Sequence, residues 1–169
     1  MFYQMLKDIL SLCLNLFNLL LRGGIPPLAC VALIVENNKR YLVIERANDS
    51  CVFPGGFMRW YEEPHQAARR EGKEETGFNI QIKDFVGYQP YVSRSLFLPS
   101  NLTLIYRATI AGGAMHTSFE GRPRWLPEEE IRKRLSPIAQ EMLDIYQRFL
   151  SRQRPADPEI QHDRADRAK

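Results

Sequence analysis

The chain has 169 residues, 44% of them hydrophobic, which fits one globular domain with a buried core. Lys and Arg exceed Asp and Glu by only 3, and the basic residues are spread along the chain. This distribution argues against a nucleic-acid polymer as the main substrate. The three cysteines, Cys13, Cys30 and Cys51, are odd in number and widely spaced, which argues against a disulfide framework and a Cys-x-x-Cys zinc site and indicates free thiols in a reducing cytoplasm.

The first 22 residues predict an apolar amphipathic helix. Polar residues recur at steps of three or four and form a narrow stripe, consisting of Lys7, Ser11, Asn15, Asn18 and Arg22. The uncharged run 9–21 is shorter than the about 20 residues that span a bilayer, and no clear cleavage motif follows it. Three interpretations stay open: the helix packs on the domain or on a second copy as a homodimer, it lies in a membrane interface, or it is cleaved or spans the membrane.

Glycine and consecutive prolines in residues 23–27 predict a linker. Beyond it, strands are predicted at 28–35 and 41–45, joined by a turn at Asn37 and Asn38, and again at 80–88 and 102–108. Helices are predicted at 126–135 and 137–150, the second capped by Ser136. We therefore divide the chain into an N-terminal helix with linker (1–24), an α/β domain (25–150) and a disordered tail (151–169) that has almost no large apolar residues.

The stretch from Gly56 to Phe78 carries the clearest chemical signal. Positions three and four apart on a helix are neighbours, so the carboxylates of Glu71, Glu74 and Glu75 can point into one small volume. Such a cluster repels itself unless a cation lies there. Hard divalent ions such as Mg²⁺ are commonly held by one or two carboxylates while substrate phosphates complete the coordination shell. The pattern therefore indicates phosphate chemistry.

The spacing of this stretch resembles the Nudix box: glycine, five residues, glutamate, seven residues, arginine-glutamate, an aliphatic residue, any residue, two glutamates, any residue, glycine and an aliphatic residue. All fixed positions match, at Gly56, Glu62, Arg70, Glu71, Glu74, Glu75 and Gly77. The resemblance covers residues 29–135 and implies a Nudix-type α/β/α sandwich with a mixed β-sheet. It also implies a Mg²⁺- or Mn²⁺-dependent pyrophosphohydrolase that cleaves a nucleoside diphosphate linked to another moiety, as in a nucleotide sugar, a dinucleotide or a nucleoside triphosphate.

The resemblance implies a metal site on the predicted helix. By this resemblance, Glu74 and Glu75 are metal ligands, and Glu71 is a ligand or the general base. A backbone carbonyl at Gly55 or Gly56 is a further ligand in relatives. Pro64 suits the first turn of this helix and Gly77 suits its C-terminal cap.

Further residues complete the expected site. Arg70 is expected to orient the carboxylates through a charge-assisted pair with Glu62. Some relatives recruit an acid from a loop shortly before a tryptophan, and Glu120, five residues before Trp125, is the candidate; an ordinary loop glutamate is the alternative. An arginine at a strand end can bind phosphate and aromatic rings can stack on a base, although surface exposure and core packing explain such residues equally well. The candidate substrate-binding residues are Arg46, Phe57, Tyr88 and Tyr91.

Two positions depart from the family pattern. Gly72 stands at the first aliphatic position of the box, which costs about 1 kcal/mol relative to Ala in a helix interior and gives up a side chain that would pack the helix on the sheet. We therefore expect a less rigid helix with intact metal ligation. Cys51 stands three residues before Pro54, where relatives often have Trp, and this changes the packing beside the site.

Two classes of function stay open. The intact acid set favours an enzyme acting on a small nucleoside diphosphate derivative. The alternative is a non-catalytic module that senses a nucleotide or metabolite, held peripherally at a membrane by its first helix. A prenyl-diphosphate isomerase normally needs a catalytic cysteine and glutamate in a larger domain, which nothing here marks. Residues 89–91 and 99–102 faintly resemble the motif of NADH-cleaving relatives, with stretched spacing and without their zinc-binding cysteines. Pro90 falls slightly short of the position where ADP-ribose enzymes tend to carry a proline. Neither resemblance decides, so the substrate stays open.

Overall fold

A computed structural model describes residues 2–153 of the chain, with only the backbone of residues 2–4, 6 and 7. Over these residues the chain forms four helices and seven strands. They follow in the order α1 (Phe2–Leu20), β1 (Leu28–Asn37), β2 (Arg40–Glu45), β3 (Cys51–Val52), β4 (Gly55–Phe57), α2 (Pro64–Thr76), β5 (Phe78–Tyr91), β6 (Asn101–Gly113), β7 (Arg122–Pro127), α3 (Glu128–Arg134) and α4 (Pro137–Gln153).

Strand β1 organises a mixed sheet. It pairs in parallel with β6, antiparallel with β4, and through the turn at Asn38 with β2. Beyond β6 the sheet continues antiparallel into β5, and β2 carries β3 and β7 as antiparallel partners. An unbroken apolar run suits β1 because a strand in this position is covered on both faces.

Helices cover both faces of the sheet and form two cores. Alternate residues of a strand point to opposite faces, and Val31, Leu33 and Val35 of β1 pack in one core with Ala67 and Ala68 of α2. The opposite face of the sheet packs against α3 and α4 in a core that includes Ile34, Ile105, Ile131, Leu143 and Tyr146. The α/β/α sandwich with a mixed sheet is therefore confirmed.

The strand predictions at 80–88 and 102–108 are confirmed but too short, since β5 and β6 extend further at both ends. The helix prediction at 126–135 is wrong in its first residues, because Leu126 lies in β7 and the helix begins at Glu128. Strand β7 was missed because it contains Pro123 and Pro127. Proline cannot donate to a ladder, and β7 tolerates it as an edge strand that pairs only with β2.

Helix α2 begins and ends where the sequence predicts. Pro64 lies in its first turn, and Glu63 and Gln66 form a capping box. Gly77 ends it with a φ of 82°, a left-handed conformation that glycine adopts without strain. Helix α4 is likewise capped by Ser136, whose Oγ accepts a hydrogen bond from the Ala139 N–H at 3.3 Å.

The expected loss of packing at Gly72 is wrong. A Cβ at this position would lie 2.5 Å from Ile80 Cγ1 and 2.7 Å from Leu33 Cδ1, well below the 3.5–4.0 Å of a good carbon–carbon contact. Gly72 is buried, so the sheet side chains already fill the space that an aliphatic side chain would occupy. The missing side chain lets α2 approach the sheet closely.

The ends of the chain differ partly from expectation. Helix α4 continues through Gln153, so residues 151–153 are helical, and the rest of the predicted disordered tail lies outside the described residues. At the other end α1 forms as predicted. Within residues 2–153, no helix has both the length and the apolar character to cross a bilayer.

Candidate active site

Strand β4 and helix α2 meet at a pair of glycines. A Cβ at Gly55 would collide with the backbone of Val31 and Ala32, so β4 can lie this close to β1 only with glycine there. A Cβ at Gly56 would lie 2.7–2.8 Å from the carboxylate of Glu71. The space left by the missing side chain is therefore filled by the carboxylate of Glu71.

Glu75 is the most buried acid of the predicted set, with 5% of its surface exposed. Its Oε2 accepts a hydrogen bond from the Gly55 N–H at 2.9 Å. Burial raises the pKa of Glu75, the Gly55 N–H opposes this, and the carboxylates of Glu120 and Glu71 raise the pKa further. Three carboxylates from two distant segments therefore act on one another here.

Glu71 lies between this group and Arg70. Burial raises the pKa of Glu71, the Arg70 guanidinium lowers it, and the carboxylates of Glu74 and Glu120 raise it. Arg70 Nη1 donates to Glu71 Oε1 at 2.6 Å. Glu71 thus lies between an arginine that holds it and carboxylates that repel it.

Arg70 also joins the loop before α2 to the helix. Its Nε and Nη2 donate to the two oxygens of Glu62 at 2.7 and 2.8 Å, and Nη2 donates to the Phe57 carbonyl at 3.1 Å. This bidentate pair, assisted by the N–H of Arg59, lowers the pKa of Glu62 to about 2. The predicted partnership of Arg70 and Glu62 is present in the structure.

Glu74 is more exposed than the other acids of the helix and pairs with two arginines. Its oxygens accept from Arg59 Nη2 at 3.0 Å and from Arg70 Nη1 at 3.1 Å, and its side chain is half-exposed. Among residues 2–153, no three acidic, histidine or cysteine side chains converge closely enough to hold a metal ion unaided. Glu71 and Glu120 lie near enough to Glu75 to raise its pKa but do not close into a set of metal ligands, and Glu74 pairs with two arginines.

The donor chemistry nevertheless suits a hard divalent cation. Glu75, Glu71 and Glu120 supply carboxylate oxygens that repel one another, and Gly56 keeps the space in front of Glu71 free of a side chain. Carboxylate and other oxygen ligands are what Mg²⁺ and Mn²⁺ prefer. The residues present fit such an ion.

A cavity of about 240 Å³ opens beside these acids. Its lining includes Glu75, Glu120 and Arg46, together with Ser136, which precedes α4, and Met142 of α4. A second groove of about 510 Å³ shares Arg46 and Glu120 with the first. Arg46 and Glu120 therefore lie where the two cavities meet.

Of the four predicted substrate-binding residues, only Arg46 lines either cavity. Phe57 and Tyr88 are exposed side chains outside both linings, and Tyr91 also lies outside them. Sequence reasoning missed Asn101 and Thr103 of β6, which do line the smaller cavity. No motif marks them, because only the parallel pairing of β6 with β1 brings them there.

The described cysteines are all free: Cys13 is exposed, and Cys30 and Cys51 are buried. Cys30 lines the smaller cavity, and burial raises the pKa of its thiol to about 12. A thiol with this pKa is a poor nucleophile at neutral pH. Cys51 packs in the core with Ile131 and Leu135 of the α3 region, where it serves as a small apolar residue.

Comparison with known proteins agrees with this geometry. The model of the NUDIX domain matches residues 26–149. A MutT-like protein of Streptomyces ambofaciens is 30% identical over 118 residues, which cover 67% of this chain and 73% of that protein. A CMP-5'-(N-acetyl-N-hydroxy-3-aminopropyl)phosphonate hydrolase of Streptomyces rubellomurinus is 27% identical over 110 residues, 62% of this chain and 53% of the relative, so the chain spans about half the length of that enzyme.

A solved structure shares the fold. The NUDIX hydrolase from Nitrosomonas europaea superposes with a TM-score of 0.67 at 20% identity, covering 81% of this chain and 97% of the other. The family match extends over both helical layers and the whole sheet, from the start of β1 almost to the end of α4. The chain therefore belongs to the Nudix hydrolase family.

Proposed function

We propose that this chain is a Mg²⁺- or Mn²⁺-dependent pyrophosphohydrolase that cleaves a nucleoside diphosphate linked to another moiety. The observation that carries the proposal is the group formed by Glu71, Glu75 and Glu120, of which Glu75 and Glu120 line a cavity. Like charges held together in a partly buried site are costly unless a cation or proton compensates them. Phosphate hydrolysis is the chemistry that uses such a cation.

Glu71, Glu75 and Glu120 are the carboxylates that would hold the ion, with the carbonyl of Gly56 as a further oxygen. When bound, the ion would neutralise charge on the diphosphate and lower the pKa of a bound water. Glu74 remains in the proposed ligand set. Its pair with Arg59 is solvent-exposed on both sides, and surface pairs of this kind contribute only about 0–1 kcal/mol. To reach the ion, Glu74 would also have to give up its 3.1 Å bond with Arg70 Nη1.

The rest of the network has a positioning role. Arg70 contacts Glu62, Glu71 and the Phe57 carbonyl at once, so it ties the strand before α2 to the acids on the helix. Rigid placement matters because a shift of about 1 Å in a reacting group can cost about 10²-fold in rate. A glutamate of the buried group accepts the proton of the attacking water, and Arg70 holds that group in place.

The two cavities indicate how a substrate would be bound. Arg46 lies at their junction, where its guanidinium can bind a diphosphate. The smaller cavity then takes one part of the substrate and the larger groove takes the other. The Streptomyces rubellomurinus relative, named for a CMP-linked phosphonate, supports a nucleotide conjugate as the class of substrate.

A coupled screen tests the proposal: cleavage leaves two phosphomonoesters, or a nucleoside monophosphate and pyrophosphate, and added phosphatase (for conjugates) or inorganic pyrophosphatase (for triphosphates) converts these products to measurable phosphate. The panel contains CMP- and UDP-linked compounds, ADP-ribose, dinucleotides and nucleoside triphosphates, each assayed with Mg²⁺ or Mn²⁺ and with a chelator. We expect turnover on at least one conjugate, complete loss in the chelator, and recovery on adding the metal.

The matched variants are Glu75→Gln and Glu129→Gln. Glu75→Gln keeps the side-chain shape but removes a charge from the site, so turnover should fall about 10²-fold or more, as for other preorganised electrostatic groups. Glu129 is an exposed glutamate of α3, paired with Lys133 on the same helix, and its replacement should leave turnover unchanged. Tight nucleotide binding without hydrolysis, unaffected by Glu75→Gln, would instead support a sensing module.

A further inference from the structure

Helix α1 turns the middle of its polar stripe, residues Ser11, Asn15 and Asn18, towards the protein, while Arg22 at the end of the stripe is exposed. Asn15 Nδ2 donates to the carbonyls of Leu96 and Leu98 at 2.8 and 3.2 Å, in the loop between β5 and β6. Asn18 Oδ1 accepts from the Ile25 N–H at 2.9 Å. The stripe residue Ser11 is also partly buried. The polar side of this helix therefore holds it against its own chain.

The apolar side of α1 faces outward as a result. Leu10, Phe17 and Leu20 are 69%, 55% and 77% exposed. A surface helix of a globular protein normally turns its apolar stripe to the core and its polar face to water. Here the orientation is reversed. Other large apolar side chains exposed on or beside this helix are Met5, Ile9, Leu16, Leu19 and Leu21.

The loop that Asn15 holds continues this apolar surface. Residues 92–100 connect β5 to β6, and their exposed apolar side chains are Val92, Leu96, Phe97 and Leu98. We call these side chains and the exposed apolar side chains of α1 the N-terminal apolar surface. Monomeric proteins rarely expose contiguous apolar patches larger than a few hundred Å², so a surface built from a whole helix and a loop calls for an apolar partner.

Charge distinguishes between two partners for this surface, a second copy of the chain and a membrane. Residues 2–27 and 92–100 carry three basic residues, Lys7, Arg22 and Arg94, against one acid, Asp8, which gives a net charge of +2. Arg22, at the end of the helix, and Arg94, in the loop, are both exposed. In a symmetric dimer the same patch meets itself, so two surfaces of net positive charge would face each other. Phospholipid headgroups of negative charge compensate them instead.

We propose that the N-terminal apolar surface docks in the interface of an anionic membrane, with α1 lying along the membrane plane. Its apolar side chains enter the boundary between headgroups and acyl chains, and Arg22 and Arg94 pair with lipid phosphates. Asn15 fixes the helix to the loop, so the two apolar segments enter the membrane together. This surface is independent of the acids that we assign to hydrolysis.

Vesicle flotation of the full chain tests the proposal. The vesicles are phosphatidylcholine alone, or phosphatidylcholine mixed with phosphatidylglycerol. We expect the chain to float with the mixed vesicles and to bind them more strongly than the neutral ones. Leu20→Glu and Phe97→Glu should each lower the ratio of bound to free protein about tenfold or more, because each replaces a large apolar side chain at the interface by a charge.

Met115→Glu is the matched control, since Met115 is also an exposed apolar residue. It follows the end of β6 opposite to the loop, about 40 Å away along a strand of 13 residues, and its replacement should leave flotation unchanged. Circular dichroism checks that each variant is folded. The proposal is overturned if the chain stays free of both kinds of vesicle, if Phe97→Glu binds as well as the unaltered chain, or if sedimentation shows a dimer that Leu20→Glu dissociates in the absence of lipid binding.

Discussion

Replacing Gly72 with alanine should destabilise the protein, although the family pattern has an aliphatic residue at this position. By helix propensity alone, Gly72→Ala gains about 1 kcal/mol. The new methyl group, however, would lie 2.5 Å from Ile80 Cγ1 and 2.7 Å from Leu33 Cδ1. Both of these side chains are buried, so neither can move into solvent, and overpacking of this kind costs about 1–3 kcal/mol.

We therefore expect Gly72→Ala to lower the free energy of unfolding by up to about 2 kcal/mol, which corresponds to a fall of about 2–8 °C in Tm for a chain of this size. Urea and thermal unfolding measure the effect. If α2 moves away from the sheet to make room for the new methyl group, it carries Glu75 away from the Gly55 N–H. Turnover should therefore also fall in Gly72→Ala.

A double-mutant cycle identifies the contact responsible. Ile80→Ala removes the nearest atom, so adding it to Gly72→Ala should cost less than the sum of the two single changes. A gain of about 1 kcal/mol in Gly72→Ala alone would show that the helix propensity term decides and that our account of the close approach is wrong.

Three further predictions concern the acids and Arg70. The pKa of Glu62 is lowered to about 2 from an ordinary value of 4.5, so its ionised form stabilises the folded protein by at most about 3 kcal/mol. This stabilisation is complete above pH 4.5 and is lost as the pH falls towards 2. Acid unfolding of Glu62→Gln should therefore depend less on pH in this range, and an unchanged profile would contradict the pairing. Arg70→Lys keeps the charge but loses the bidentate geometry, so the variant should lose a larger fraction of its kcat than of its free energy of unfolding. An equal kcat of the variant and the unaltered chain would refute a positioning role. Mn²⁺ should raise the Tm of the unaltered chain and much less that of Glu75→Gln, and equal shifts in differential scanning would place the ion elsewhere.

Local rules were enough for the parts of the fold whose signals lie within a few residues. Pro64 and Gly77 marked the ends of α2 because proline suits a first turn and glycine a left-handed cap. The spacing of glutamates placed acids on one helix, and the turn at Asn38 joined β1 to β2 as expected. The pairing of Arg70 with Glu62 was expected from the family resemblance and is present.

Tertiary structure decided the features that depend on segments far apart in the chain. Helical spacing put Glu74 beside Glu75, but Arg59 holds Glu74 at the surface while Glu75 meets Glu120 from a segment 45 residues later. The close packing of Gly72 required Ile80 and Leu33 on the sheet below it. The polar stripe of α1 was visible in the sequence, yet only its bonds to the β5–β6 loop show that its middle faces inward. In each case, the helical or strand repeat determines which residues share one face of a helix or strand. Which part of the protein that face contacts depends on packing between segments far apart in the chain.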